Sequence, residues 1–396
     1  METLYHECGN FMLMVSRLFI NRDKLSSRYI PEKLPHRERQ LDILEFLFSE
    51  FFEGREIAYT RIVQLIGPIG SGKTSTTLLL GRILEEKAGK FGLNLLHLYT
   101  NLKLESSSRF LYYKSLAEKL SKNIVLRSVS AEEQLKIILD YLARTDTYTI
   151  LTLDEADTIG RKGGNISELV YDLSRINELF YEDANRIVGI LIVARNHEWK
   201  KGLDPAVKSS LGQFIIEFPR YSYRQILDIL IYRATQAIKR ECIGDNVLEF
   251  ISEITSTYAN GDIRYALDLL LYSGVLAESE GSPKITLNHV RKILKRIGGP
   301  SYQILPSELN NAEKYVILAL IRALKLFKTP FVSLSKIKYC YKIMSEERSI
   351  SLIDEEQIEN ILQKLVDKGI IECKGPAKIG FIDIDIDLLE KRLLEP

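Results

Sequence analysis

The sequence predicts an α/β fold on a five-stranded parallel sheet, then a small all-helical domain, then helices closed by a two-strand ribbon. Three observations predict it. From about 61 to 218, short apolar β-branched runs alternate with helical stretches, as in a parallel sheet covered on both faces. From 222 to about 296 the apolar residues recur only at helical spacing. Beyond a glycine- and proline-bearing linker at 297–306, helices give way to two short apolar runs separated by Lys374-Gly375-Pro376-Ala377.

The runs expected as strands are 61–66, 94–99, 148–153, 187–194 and 214–218. Ile226, Leu227, Ile229, Leu230 and Ala234 keep helical spacing, as do Val247, Phe250, Ile251 and Ile254, and 265–277 is rich in Leu and Ala. After the linker the pattern predicts a helix at 307–327, a strand at 331–334 and helices at 335–346 and 354–368. Strands at 369–373 and 379–386 complete a winged-helix pattern. The expected organisation is a tail at 1–18, a nucleotide-binding domain at 19–218, a helical domain at 219–299 and a winged helix at 300–396. Met12 or Met14 could serve as an alternative start.

A chain of 396 residues calls for two or three domains, and 45% apolar with 27% charged residues is a soluble composition. The net charge of +1 gives no global basic field, so a nucleic-acid surface would need local clustering. Cys8, Cys242, Cys340 and Cys373 form no CxxC pair, which disfavours a metal site or a disulfide framework and fits a reducing cytosol. No apolar run approaches the ~18 residues that span a bilayer.

The strongest chemical signal is GPIGSGKT at 67–74, directly after a strand and before a helix. Its glycines let the backbone wrap a phosphate, which the loop amides and the positive helix end then hold. Pro68, Ile69, Gly70, Ser71, Gly72, Lys73, Thr74 and Ser75 would contact the nucleotide. Lys73 would reach the β- and γ-phosphates, and the Thr74 hydroxyl would bind Mg²⁺. The second motif is ILTLDEAD at 150–157. An acidic pair ending a strand is by itself an ordinary solvated turn. Placed after a phosphate loop, Asp154 would hold Mg²⁺ through water and Glu155 would deprotonate the attacking water. Asn196, after the strand at 187–194, and Arg264, opening a helix in GDIRYALDLL, stand where γ-phosphate sensors would sit.

These motifs follow the order seen in AAA+ ATPases. More specifically, the chain resembles archaeal replication initiators of the origin-recognition-subunit-one/cell-division-cycle-six family. SRYIPEKLPHRERQL (27–41), GPIGSGKT, LDPAVKSSLG (203–212) and GDIRYALDLL carry the likeness, which runs from about Phe19 to the end. The resemblance implies an AAA+ P-loop domain, a helical lid and a C-terminal winged helix that binds DNA. It implies that Tyr29, Ile30, Pro31, Leu34 and Pro35 line the adenine pocket, with His36 and Arg37 near the nucleotide. It implies a weak ATPase using ATP/ADP and Mg²⁺ as a switch on double-stranded origin DNA, in the cytoplasm at the nucleoid. The replicative helicase and paralogous initiators are the implied partners; a membrane is not.

Family members carry a helical insertion before the Walker B strand, here within about 101–130. Lys103, Arg109 and Lys114 would contact DNA from it, and serines 106–108 suit phosphate contact. In the winged helix, Gln357 and Asn360 lie off the apolar stripe and Lys374 and Lys378 mark the wing. Two features depart from the family pattern. Ala206 stands where the family carries an arginine that reaches a neighbour's nucleotide, a group worth roughly 10³–10⁵ in rate in other systems. The helix at 354–368 opens with Asp354, Glu355, Glu356 and Glu359, which would repel phosphate or complement the helix dipole. Two rivals stay open: a signalling ATPase whose winged helix docks protein, and a clamp-loader-like motor subunit.

Overall fold

The computed structural model describes residues 17–53, 59–105, 108–122, 124, 126, 129–158, 166–176, 186–201, 203–297, 309–348, 353–375 and 378–394. Ser106, Ser107, the expected tail up to residue 16, most of the linker, and Pro376-Ala377 of the wing turn lie outside the described residues. The chain forms two compact units.

The first unit covers 30–225 and 261–263. In chain order it holds α1 (Glu38–Phe48), β1 (Arg61–Ile66), α2 (Lys73–Lys90), β2 (Asn94–Asn101), α3 (Leu102–Glu105), α4 (Arg109–Leu120) and α5 (Ala131–Arg144). β3 (Thr147–Asp154), α6 (Ile166–Ser174), β4 (Ile187–Ala194), α7 (Pro205–Ser210) and β5 (Ile215–Glu217) follow. The five strands are parallel in the order β2-β3-β4-β1-β5. All five expected strands are present, within a residue or two of their expected ends.

β4 is buried at all eight positions, which is why its run is continuously apolar rather than alternating. Its period of two still shows in the packing. Ile190, Ile192 and Ala194 join the core under α4, α5 and α6, whereas Leu191 and Val193 join the core under α1 and α2. Each such Ile or Leu contributes roughly 1.5–3 kcal/mol by burial, so a polar residue on either face would break the sandwich. Local signals set the helix starts. Ser108 caps α4 by accepting from the Leu111 N–H, and Ser130 with Glu133 forms a capping box on α5.

The second unit joins 17–29 to 226–260 and 264–394. Its helices are α8 (Tyr223–Ala237, starting at the boundary), α9 (Asp245–Tyr258), α10 (Ile263–Ser279) and α11 (Leu287–Arg296). α12 (Asn311–Phe327), β6 (Phe331–Val332), α13 (Leu334–Arg348), α14 (Glu355–Asp367), β7 (Glu372–Cys373), β8 (Ile379–Gly380) and α15 (Ile386–Leu394) complete it. Residues 19–29, expected with the nucleotide domain, group here. Phe19 bridges Ile238, and its ring packs so closely on Gly274 that a Cβ there would meet it at 2.4 Å.

The C-terminal elements form a winged helix with a three-stranded antiparallel sheet, β6-β8-β7. The strand expected at 379–386 is shorter. Only Ile379–Gly380 pairs, and Ile386 already opens α15, which buries Leu389 and Leu393 in the same core as α12. Helix α11 is tied to this sheet by Arg291. Its buried guanidinium donates to the carbonyls of Phe381 and Pro330, both at 3.1 Å, and lies over the Phe250 ring. Burial holds this guanidinium well below the usual range, at about 10.

Candidate nucleotide site and nucleic-acid interface

The phosphate loop runs from the carboxyl end of β1 into α2. Gly70 and Gly72 have φ of 71° and 89°, a region an L-residue enters only at a cost. Both are also crowded. A Cβ at Gly70 would lie 1.9 Å from Asp262 Oδ1, and one at Gly72 would lie 2.6 Å from the Tyr221 hydroxyl. The Lys73 ammonium lies inside the loop and donates to the carbonyls of Gly67 at 2.5 Å and Pro68 at 2.8 Å. The Ser71 hydroxyl also donates to Pro68 O, while Ile69 projects outward and Ser75 is half-buried.

Parallel registry delivers the acidic strand end to this loop. Asp154 closes β3 at the carboxyl edge of the sheet, and the Thr74 hydroxyl donates to its Oδ2 at 2.6 Å. Oδ1 accepts the Glu155 N–H at 2.7 Å. Glu155 itself has a φ of 56°, a conformation that costs about 1–3 kcal/mol and recurs at functional sites. Asp157, two residues on, accepts the Arg195 N–H at 2.5 Å and pairs with its guanidinium at 3.2 Å. That contact fixes the turn carrying Asn196. Asn196 Oδ1 accepts the Glu198 N–H at 3.0 Å, and the residue is exposed.

Ile30 is held to α2, its carbonyl accepting from Arg82 at 3.2 Å. Pro31 is buried, and Leu34 and Pro35 are half-buried in the same unit. Arg37 is bonded to the loop itself. Its side chain is buried behind the loop, with Nε donating to Ser71 O at 2.8 Å, Nη1 to His36 O at 2.8 Å and Nη2 to Pro219 O at 2.7 Å. It also lies over the Tyr221 ring at 3.8 Å. The guanidinium is thereby committed to the protein. Tyr29 groups with the helical unit, where its hydroxyl accepts from Lys24 and its ring lies under Lys24 and Arg233.

Residues 227–293 match the family described as the Cdc6 AAA+ ATPase-type lid domain. The ORC1-type DNA replication protein 2 of Saccharolobus solfataricus is 32% identical over 366 residues, covering 90% of this chain and 87% of that protein. The chain belongs to the ORC1-type DNA replication protein family. The crystal structure of Cdc6p from Pyrobaculum aerophilum superposes with a TM-score of 0.72 at 27% identity, covering 95% of this chain and 97% of that one. The Aeropyrum pernix ORC1 protein, solved in complex with DNA, shares the fold with a TM-score of 0.61 at 24% identity, covering 96% and 97%.

In this ORC1-type protein the expected DNA residues fall into two groups. Arg109 is committed elsewhere: it pairs with Glu132, with Glu168 at 3.0 Å and with Asp172 at 3.2 Å. Three carboxylates on one guanidinium knit α4 to α5 and α6. Lys103 points its ammonium toward Glu155, 4.0 Å from Oε2. Lys114 is exposed and makes no ion pair among the described residues.

In the winged helix, Gln357 and Asn360 are exposed on α14. The wing lysines meet a lid carboxylate. Lys378 lies 2.9 Å and Lys374 3.6 Å from Glu253 on α9, and Lys374 also sits over the Tyr258 and Phe331 rings. The acidic start of α14 has local partners. Asp354 caps the helix by accepting the Gln357 N–H, and Lys338 binds Glu355 and Glu359, each at 2.7 Å. Ala206 and Lys208 are exposed on the short α7, and Arg264 is exposed near the start of α10. Among the described residues, no helix is long and apolar enough to cross a membrane.

Sequence reasoning passed over Tyr99, Arg82, Asp157 and Glu253. A tyrosine in an apolar strand, or an acid on an amphipathic helix, carries no local mark of its partner.

Proposed function

We propose that this ORC1-type protein is an ATP-controlled replication initiator that binds origin duplex DNA and helps recruit the replicative helicase. The observation that carries the nucleotide part is the Thr74–Asp154 contact beside the phosphate loop. A hydroxyl and a carboxylate at the loop's mouth are hard oxygen donors, and they fit Mg²⁺ with its bound waters. Bound there, Mg²⁺ would neutralise charge on the β- and γ-phosphates. Lys73 would bind the same phosphates, Glu155 would take the proton of the attacking water, and Asn196 and Arg264 would read the γ-phosphate.

Hydrolysis would be slow and would reset the switch. Ala206 carries no charge to offer a neighbouring subunit, so the rate per molecule would not rise with protein concentration. We assign DNA contact to exposed side chains, Lys114 on the insertion and Gln357 and Asn360 on α14, with Lys374 and Lys378 joining when the wing leaves Glu253. That the Aeropyrum pernix ORC1 protein, of the same fold, is solved in complex with DNA supports DNA as the ligand. We place the protein at the nucleoid in the cytoplasm, alongside paralogous initiators.

One observation favours a second reading. Lys374, Lys378 and Lys338 are all neutralised by carboxylates. A wing so neutralised also suits docking to protein. The test uses three proteins: wild type, Lys73→Ala and Glu155→Gln. The proposal expects Lys73→Ala to lose ATP binding and Glu155→Gln to retain ATP while losing hydrolysis. Hydrolysis by Glu155→Gln at the wild-type rate would refute the assigned base. Failure of every nucleotide state to bind duplex DNA would leave the docking reading.

A further inference from the structure

Asp154 is held by three donors. Thr74 and the Glu155 amide belong to the loop and the strand end described above. The third is the Tyr99 hydroxyl on β2, which donates to Asp154 Oδ2 at 2.8 Å. We propose that Tyr99 is a positioning residue of the metal site, orienting the Asp154 carboxylate to receive a Mg²⁺-bound water. The proposal rests on the ATP–Mg²⁺ reading of the loop.

The geometry suits that role. Register pairs Asn101 with Asp154 and Tyr99 with Thr152, so Tyr99 and Asp154 occupy the same face of adjacent strands. Oδ2 takes both Thr74 and Tyr99, while Oδ1 takes the Glu155 amide. Rotation of the carboxylate would break at least one of these bonds, so its remaining lone pairs keep fixed directions. The Tyr99 strand is also braced. Lys119 on α4 donates to the Tyr99 carbonyl at 2.7 Å and the Thr100 hydroxyl at 3.2 Å, and it pairs with Glu105.

Removing a hydrogen-bonding partner of a metal-site ligand typically costs about 10–100-fold in metal affinity. Tyr99→Phe keeps the ring and deletes only the donor. The experiment titrates Mg²⁺ against full-length protein and a fluorescent ATP analogue, and measures analogue affinity separately in EDTA. The expected result is a Mg²⁺ midpoint raised about tenfold, with affinity in EDTA unchanged. An unchanged midpoint would overturn the proposal. So would an equal loss of affinity in EDTA, which would mark Tyr99 as packing only. Should Tyr99→Phe fail to fold, Tyr99→Gln, which keeps a donor, is compared with Tyr99→Leu. Gln should retain the tighter Mg²⁺ midpoint, and parity would overturn the role. Wild-type binding indifferent to Mg²⁺ would instead overturn the underlying metal reading.

Discussion

Replacing Arg37 by methionine separates bracing of the phosphate loop from contact with the nucleotide. Methionine keeps the apolar stem but deletes the three donations to Ser71 O, His36 O and Pro219 O and the stack on Tyr221. Hydrogen bonds from a charged donor are worth about 1.5–3 kcal/mol each, a gross loss of roughly 5–9 kcal/mol. Release from burying the guanidinium returns several kcal/mol of that, leaving a net loss of about 3 kcal/mol. For a unit of this size the melting temperature should fall by roughly 6–12 °C. The assay is thermal unfolding of nucleotide-free protein, paired with ATP affinity for wild type, Arg37→Met and Arg37→Lys. Bracing predicts that the nucleotide-free protein is destabilised in both variants, because lysine cannot fork to three carbonyls. Direct phosphate contact predicts the opposite: unchanged nucleotide-free stability and an ATP affinity that Arg37→Lys largely keeps. That outcome would refute the reasoning.

Two further outcomes follow. Burial pushes the His97 imidazole down to about 4, while the unfolded chain binds its proton near the ordinary imidazole value of 6.5. Stability from this site is therefore full above pH 6.5 and is lost as pH falls toward 4, by roughly 3 kcal/mol; denaturant midpoints of His97→Gln across that window should be flatter than wild type. Glu253→Gln releases Lys374 and Lys378, so duplex affinity should rise. The log K against log salt slope should then steepen by up to about 0.9 per lysine that reaches phosphate, and an unchanged slope would keep the wing off the DNA.

Much of the fold was legible because its determinants are local. A continuous apolar, β-branched run of eight such as 187–194 suits a doubly covered strand, and GPIGSGKT between a strand and a helix marks its own chemistry. Thr74, Asp154 and the Glu155 turn came together as their spacing implied. The contacts the sequence does not show share one cause, namely partners that are remote in sequence. Arg109 reads as a phosphate ligand until Glu168 and Asp172 arrive from α6. Lys374 and Lys378 read as a free wing until Glu253 arrives from α9. Nothing local ties Arg37 to Ser71 and Pro219, which come from 34 and 182 residues away. The segment 379–386 misled in another way. Its alternation of isoleucine and aspartate has the period of a strand, but pairing stops at Gly380 and Ile386 turns into α15 to cover α12.

The most direct measurement of the central claim is fluorescence anisotropy of origin-derived and scrambled duplexes, titrated with protein in ATP–Mg²⁺ and in ADP–Mg²⁺ across a salt series. The account predicts tighter binding to the origin duplex, an affinity that changes between ATP and ADP, and a log K that falls linearly with log salt. Equal affinity for both duplexes in both nucleotide states would contradict it.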